Sequence, residues 1–471
     1  MAIQWSGFGP ELLLQLDRDS SQPLRSQLEN GLREAIRTGR LPAGERLPSS
    51  RELARERGVS RGLVQECYGQ LLSEGYLTSQ VGSATRVAAG AHLVTPEPAV
   101  RGEPAPRLIA DFRAGVPDLA SFPRADWVWA TREACSRVTT ADLGYGQPAG
   151  SAELRDVLAG YLRRVRAAAA GPEHVIVCTG FAQGLGIVLR ALARAGARCV
   201  AFEDPGYGNA ETDETVLTAQ AAGLRVVHVP VDELGIDVAA LAASGAHVVV
   251  VTPAHQSPTG VVLPPSRRHA LVEWATRNGA FIVEDDYDSE FRYDREPVGV
   301  LQGLAPDRVL TIGTASKALA PAVRLGWVLA PRSLTGAVAT EKRLSDRGSS
   351  TLDQLTLAAL IQSGRYDRHL RRMRAVYARR RTQLIAALAR HAPGIRLTGL
   401  AAGFHAVAHL PPSRDEHAVV AAARERLVGL YGMGPYRARQ TSAEPQLVLG
   451  FGNVSERAIE PAIGAVADLL R

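Results

Sequence analysis

The chain has 471 residues, too many for one ordinary hydrophobic core, so two or three domains are expected. Its net charge of +6 and pI near 9.3 permit an acidic partner without naming one. The four cysteines, Cys67, Cys135, Cys178 and Cys199, form no CxxC pair and no Cys/His cluster, which argues against a disulfide framework or a zinc site and for small core residues in a reducing compartment.

The first twenty residues hold a short apolar run at Leu12 to Leu14 but no basic leader region and no small-residue cleavage site. No apolar stretch reaches membrane-spanning length, so a cytoplasmic protein is expected, with no metal and no membrane partner. From Pro23 to Gly39, apolar residues at Leu24, Leu28, Leu32 and Ile36 recur every four positions, as on one face of an amphipathic helix. Leu41-Pro42-Ala43-Gly44 breaks it. A second helix opens at Pro48-Ser49-Ser50-Arg51-Glu52, where Ser49 and Glu52 have capping-box spacing, and runs to Gly58. After Val59-Ser60 comes a third, with Leu63, Val64, Cys67, Leu71 and Leu72 inward and Gly75 at its end. Two short helices joined by a tight glycine turn have helix-turn-helix geometry, in which the second helix puts its first residues into the major groove. Arg61 and Gln65, four apart on the outer face, can then meet base edges.

Tyr76–Ser79 and Ala84–Val87 read as two short strands around Gln80-Val81-Gly82-Ser83, a wing. Ten arginines against seven glutamates between Ser20 and Val87 leave a local +3. Arg46, Arg51, Arg61 and Arg86 fall at helix and wing ends, where phosphates run. A helical corner with a glycine is common. The ordered series Leu47-Pro48-Ser49-Ser50-Arg51-Glu52-Leu53-Ala54, Gly58-Val59-Ser60-Arg61 and Leu72-Ser73-Glu74-Gly75-Tyr76-Leu77 is more specific and resembles the winged-helix domain of the GntR family of bacterial transcription regulators. The resemblance implies contacts to a double-stranded DNA operator at Arg51, Ser60, Arg61, Gln65 and the wing glycine Gly82, with Ser49, Arg46 and Arg86 as further candidates.

Residues 11–87 therefore read as the DNA-binding domain and 88–110 as a linker, since Pro96, Pro98, Pro104 and Pro106 stand there among alanine and glycine without apolar periodicity. From 111 to 471, apolar strands alternate with helical stretches: Val175–Cys178, Cys199–Phe202, Val226–Val229, Val248–Val251, Phe281–Val283 and Val309–Ile312. That alternation predicts an α/β domain with a mostly parallel sheet flanked by helices, whose ligands collect at the carboxyl ends of the strands.

Polar motifs follow those strands. Thr179-Gly180-Phe181-Ala182-Gln183-Gly184 turns into a helix whose free amides can hold a phosphate, although it matches neither a P-loop nor a dinucleotide fingerprint. Tyr207 stands on the turn Glu203-Asp204-Pro205-Gly206-Tyr207, and His255 and Ser257 lie in the polar loop after Val251, where His255 reads as a loop hydrogen-bonder. Glu284-Asp285-Asp286-Tyr287-Asp288 sets carboxylates and a phenol straight after an apolar strand, a poor place for a solvated acidic loop; a buried carboxylate there can keep a pyridine nitrogen protonated. Next comes Gly313-Thr314-Ala315-Ser316-Lys317. Of 54 basic residues only Lys317 and Lys342 are lysine, and an amine that must lose a proton to attack a carbonyl is a task that arginine cannot perform. Lys342, in Glu341-Lys342-Arg343-Leu344, reads as a surface charge.

Taken in order, these segments resemble the fold-type I aminotransferases over nearly all of 111–471, which implies a smaller C-terminal α+β subdomain as well. The resemblance implies pyridoxal 5'-phosphate (PLP) as cofactor, held as an internal aldimine on Lys317, with Asp285 at the pyridine nitrogen, Tyr287 beside the ring hydroxyl and Tyr207 stacked on the ring. It puts phosphate contacts on Phe181, Ala182, Gln183, Thr314, Ser316 and Arg324; Ser257 stands where an asparagine is usual. A GntR-type winged helix, a proline-bearing linker and a fold-type I domain together resemble the MocR/GabR group of regulators, which implies a head-to-tail homodimer that senses a ligand through PLP. The phrases Phe112-Arg113-Ala114-Gly115-Val116-Pro117-Asp118 and Leu143-Gly144-Tyr145-Gly146 carry the same likeness.

A planar guanidinium that grips a substrate carboxylate is expected in members that bind amino acids. Gln446-Leu447-Val448-Leu449-Gly450-Phe451 has none, Val448 taking that slot; Asn209 is neutral where some members have a second arginine, and Arg437 and Arg439 are nearby candidates. This points to PLP itself as effector, as in PdxR-like members that control vitamin B6 synthesis. The alternatives are a regulator sensing an amino compound, an active aminotransferase with an accessory DNA-binding domain, and a DNA-binding protein whose large domain is a dimerisation scaffold.

Overall fold

A computed structural model describes residues 16–79, 84–89, 107–207, 213–293, 298–438 and 444–471, so Gly82, most of the linker, Asn209 and Arg439 lie outside the described residues. The chain divides into two compact units, Met1–Ala105 and Pro106–Arg471.

In the first unit, α1 (Leu24–Arg37), α2 (Ser50–Arg57) and α3 (Arg61–Ser73) follow the apolar pattern. Leu28, Leu32 and Ile36 of α1 meet Leu53 of α2 and Val64, Cys67 and Leu71 of α3 in one core. Each fully buried leucine of this kind contributes about 1.5–3 kcal/mol. The start of α2 is a capping box: Ser49 Oγ accepts from the Glu52 amide at 3.2 Å, and the Glu52 carboxylate accepts from the Ser49 amide at 2.9 Å. Ser60 caps α3 by accepting from the Leu63 amide at 3.2 Å. Strands β1 (Leu77–Thr78) and β2 (Arg86–Val87) pair antiparallel, Leu77 opposite Val87, and are shorter than the pattern suggested.

The second unit is built on an eight-stranded sheet. Its strands are β3 (Val175–Cys178), β4 (Cys199–Asp204), β5 (Arg225–Asp232), β6 (Gly235–Ile236), β7 (Val248–Val251), β8 (Phe281–Asp286), β9 (Val309–Thr314) and β10 (Gly326–Leu329). The spatial order is β3-β10-β9-β8-β7-β4-β5-β6. Five strands, β9, β8, β7, β4 and β5, run parallel to one another, while β10 is antiparallel to both β9 and β3 and β6 is antiparallel to β5. Sequence reading missed β10, because Pro321 and a short apolar run hid it behind the loop after Lys317. Consecutive residues of β7 go to opposite apolar layers, Val248 and Val250 to one and Val249 and Val251 to the other. Such a strand reads as an unbroken valine run because helices cover both faces of the sheet. A smaller three-stranded antiparallel sheet, β11 (Arg396–Thr398), β12 (His405–His409) and β13 (Gln446–Gly450), forms with helices the C-terminal part.

Two expectations fail here. Cys135 is exposed, unlike Cys67, Cys178 and Cys199, because it falls on the outer side of the Arg124–Arg137 helix. Lys342 is not a surface charge: it is 0% exposed, its Nζ 2.5 Å from Asp346 Oδ2 and 2.9 Å from Ser349 Oγ. The long amphipathic helix Arg332–Asp346 buries that side, and the carboxylate one turn on makes burial of the ammonium tolerable. Among the described residues no helix is long and apolar enough to cross a membrane.

Candidate functional site

Strand β8 ends in Glu284-Asp285-Asp286, and alternation sends neighbouring side chains to opposite faces. Glu284 accepts from the Leu301 amide and from Thr311 Oγ1, each at 3.0 Å. Asp286 takes a two-pronged ion pair from Arg166, at 2.6 and 2.9 Å, and both residues are buried. Asp285 goes the other way. It is 4% exposed, one oxygen accepts from the Tyr207 phenol, and the other, Oδ1, has no partner among the described residues. Burial pushes its carboxyl up to about 8, against the lowering effect of Tyr207 and Lys317.

Lys317, in the turn after β9, gives its amine hydrogen to the carbonyl of Gly115 at 2.6 Å. Gly115 has φ +76, a backbone conformation that favours glycine. Burial holds the amine below the ordinary lysine range while Asp285 and Asp288 oppose the shift. Tyr207 stacks on Phe181, centroids 5.2 Å apart and planes 18° apart. Tyr287 donates to the carbonyl of His255 at 2.9 Å and also hydrogen-bonds Ser257. Burial, then Asp288 and Asp285, push that phenol well above its usual range.

Behind Tyr287 lies a network that sequence reading credited only to His255 as a loop hydrogen-bonder. His255 Nδ1 is 2.8 Å from Asp288 Oδ2 and its Nε2 is 3.2 Å from the Gly399 carbonyl. His405 packs against the His255 ring at 4.5 Å and reaches the Pro258 carbonyl at 3.1 Å. His255, Asp288 and His405 are close enough to hold a cation, but both nitrogens of His255 already meet hydrogen-bond acceptors, so the group serves as an internal brace.

The third corner of the pocket is the turn into the Phe181–Arg194 helix. Its cap, Gly180, has φ +116 and supplies no side chain, so no side chain caps the first amides of Phe181, Ala182 and Gln183. A Cβ on Gly180 would lie 3.8 Å from Thr314 Oγ1 and 3.9 Å from Ser316 Oγ, so those hydroxyls face the same turn. They also bond to each other at 2.9 Å. The Gln183 side chain is engaged at both ends: its Oε1 accepts from the Thr179 amide, just before the cap, at 2.9 Å and its Nε2 donates to Asp346 at 2.7 Å. Arg324, exposed and at φ +53, caps the short turn Pro321–Val323 just before β10. On β13, Val448 is fully buried and faces Val407 of β12, and Arg437 is turned onto Gln446 at 2.8 Å.

These residues suit PLP. A half-buried amine of lowered basicity can attack an aldehyde, and uncapped amides with two hydroxyls can take a phosphate. The orphaned Oδ1 of Asp285 lacks the donor that a protonated ring nitrogen provides.

In the first unit, Arg46, Ser49, Arg51, Ser60, Arg61, Gln65 and Arg86 are all exposed. Arg61 and Gln65 open α3 on its solvent face, the position from which a recognition helix reads bases. Arg46 and Arg86 sit opposite each other in a β-bridge, and Arg86 also donates to the Gly44 carbonyl at 2.9 Å. The hydroxyls of Ser49 and Ser60 serve as caps, which ties them to helix geometry first.

Residues 24–87 match the model of the bacterial regulatory proteins of the gntR family, and residues 110–442 match aminotransferase class I and II. The chain is 33% identical over 461 residues to the HTH-type pyridoxine biosynthesis transcriptional regulator PdxR of Corynebacterium glutamicum, covering 97% of this chain and 98% of that relative. It is 33% identical over 482 residues to the probable rhizopine catabolism regulatory protein MocR of Rhizobium meliloti, covering 96% of this chain and 95% of the other. Among solved structures, an archaeal alanine:glyoxylate aminotransferase superposes with a TM-score of 0.70 at 25% identity, covering 78% of this chain and 91% of its own.

Proposed function

Because the chain belongs to the MocR/GabR group of GntR-family transcription regulators, with a GntR DNA-binding domain ahead of an aminotransferase class I and II domain, we propose that it binds PLP on Lys317 and senses PLP itself to control vitamin B6 metabolism. Bound there, PLP supplies an aldehyde for the lysine and an electron-accepting ring. The observation that carries the reading is the Asp285 pocket, where a buried carboxylate oxygen without a partner stands in one site with a deprotonatable lysine.

Each residue has its task in this reading. Lys317 keeps its amine ready by hydrogen-bonding a neutral carbonyl instead of a carboxylate. Asp285 would accept a hydrogen bond from the protonated ring nitrogen and keep it protonated, and Tyr287, braced through His255 and Ser257, would stand beside the ring hydroxyl. Tyr207 would pack on the ring, Thr314, Ser316, Arg324 and the amides of Phe181, Ala182 and Gln183 would hold the phosphate, and Ser257 supports Tyr287. Residues 11–87 read DNA through Arg51, Ser60, Arg61, Gln65 and Gly82, with Arg46, Ser49 and Arg86 at the backbone; 88–110 link, and 111–471 bind ligand and pair two copies head to tail in the cytoplasm. Exposed Leu143 and Tyr145, at 64% and 84%, support a surface made for a second copy.

PLP is favoured over an amino acid as signal because Val448 fills the place of a carboxylate-gripping arginine and Arg437 is spent on Gln446. The likeness to PdxR of Corynebacterium glutamicum supports the same choice. The aminotransferase fold, shared with the archaeal enzyme, favours turnover as the second reading. Titration of cofactor-free protein with PLP, followed by visible absorbance and by binding to DNA from upstream of its own gene, tests the proposal. A visible band that Lys317→Ala abolishes, together with PLP-dependent DNA affinity, is expected. An amino acid that moves the band at micromolar concentration, or sustained turnover of about 1 per second with an amino donor and a keto acid, overturns the sensing assignment.

A further inference from the structure

Lys342, the chain's other lysine, is buried beside the proposed phosphate turn, and nothing in the chemistry above uses it. Its ammonium contacts Asp346 Oδ2 at 2.5 Å and Ser349 Oγ at 2.9 Å. The same Asp346 oxygen accepts from Gln183 Nε2 at 2.7 Å, and Gln183 Oε1 accepts from the Thr179 amide at 2.9 Å. The carboxylate of Asp346 therefore stands one glutamine side chain away from the uncapped first turn of the Phe181–Arg194 helix. A carboxylate there is a rival of any phosphate, because both are drawn to the free amides of a helix N-terminus and repel each other. Burial raises the Asp346 carboxyl, yet the hydrogen bonds from Lys342, Gln183 and the Gly348 amide prevail and hold it below its usual range, so it is ionised.

We propose that Lys342 is a positioning residue for the phosphate of the bound cofactor: it neutralises Asp346, which in turn holds the Gln183 side chain on the Thr179 amide, leaving the amides of Phe181, Ala182 and Gln183 open to the phosphate. The inference rests on the PLP reading above and adds a residue that does not touch the ligand. An arginine does not fit the task. Three short-range donors on a compact head suit a fully enclosed site between one carboxylate and one hydroxyl, whereas a planar fork needs more room. Glu341, the preceding residue, ties the same two helices together through Arg190 at 3.1 Å and Arg194 at 2.8 Å, so the helix pair has an anchor independent of Lys342.

The test compares PLP with pyridoxal, which carries the same aldehyde and ring but no phosphate. In the full-length protein, Lys342→Met is expected to weaken PLP by about tenfold, the worth of one charged hydrogen bond, and to leave pyridoxal unchanged. Adding Asp346→Asn removes the rival charge and is expected to restore most of the lost PLP affinity. Gln183→Met, which buries no charge and keeps the protein folded if Lys342→Met does not, is expected to weaken PLP alone, by roughly fivefold. Equal losses for PLP and pyridoxal, no recovery in the double variant, or unchanged PLP affinity in Lys342→Met overturns the proposal. A wild-type protein that binds PLP no better than pyridoxal defeats the phosphate-site reading itself, and the role of Lys342 with it.

Discussion

Asp285 and Asp286 are neighbours on one strand, both buried, and they live in opposite electrostatic worlds. Asp286 meets Arg166 through two hydrogen bonds, and Arg166 spends a third on the Val298 carbonyl at 2.7 Å. Asp285 meets a phenol on one oxygen and nothing described on the other, and its carboxyl is pushed up to about 8. On the Asp286 side the buried charge is matched within the fold. On the Asp285 side one buried oxygen has no partner among the described residues, which is the mismatch that the proposed cofactor would answer. A perturbation of this kind, confined to one face of one strand, is what marks Asp285 and not Asp286 as the candidate binding residue.

Breaking the matched side has the largest expected effect. Arg166→Ala leaves Asp286 buried without a counter-charge and should cost about 3–5 kcal/mol in chemical denaturation. Replacing both partners, Arg166→Met with Asp286→Leu, should recover most of that loss, since the pair as a whole roughly offsets its own desolvation. If the double variant is as unstable as the single one, the pair is specifying geometry and not only balancing charge.

The unmatched side should answer with the opposite sign. With a folded carboxyl near 8 and an unfolded one near its ordinary acidic value, the native state holds a proton that the unfolded chain has lost. Stability of the cofactor-free protein therefore falls as pH rises between those values, by at most about 1.4 kcal/mol per pH unit. Asp285→Asn removes that slope: it should stabilise the cofactor-free protein more at pH 8 than at pH 5, while weakening PLP. Melting curves at the two pH values check the first part and absorbance titration the second. A variant that is less stable at pH 8 would mean that Asp285 is matched after all. The smallest effect belongs to Tyr207→Phe, which keeps the stack on Phe181 and removes the donor to Asp285. It should cost about 1 kcal/mol without cofactor and move the pH window of the Asp285 effect upward.

Where the candidate site lies along the chain is legible in the sequence. Lys317, Tyr207 and the Gly180 turn each follow an apolar strand and Asp285 lies at the end of one, and parallel strands flanked by helices deliver their carboxyl ends to one rim. The helices of the DNA-binding unit were legible for a similar reason: their apolar periods and the Ser49–Glu52 cap are local signals. Partners were not legible. Nothing marks Arg166 among 52 arginines, and Asp288 stands in the same acidic run as Asp285 yet braces His255. Gln183 was read as a phosphate contact without any sign that its side chain would be drawn off to Asp346.

The two lysines mark the division most sharply. Their rarity and the motif around Lys317 single out, from sequence alone, one amine as the candidate for covalent work. That Lys342 is the more deeply buried of the two, held between Asp346 and Ser349, was decided only by tertiary structure. The chemistry of an amine is a property of the residue and its motif, but whether a charge can be buried depends on what the fold brings within a hydrogen bond of it.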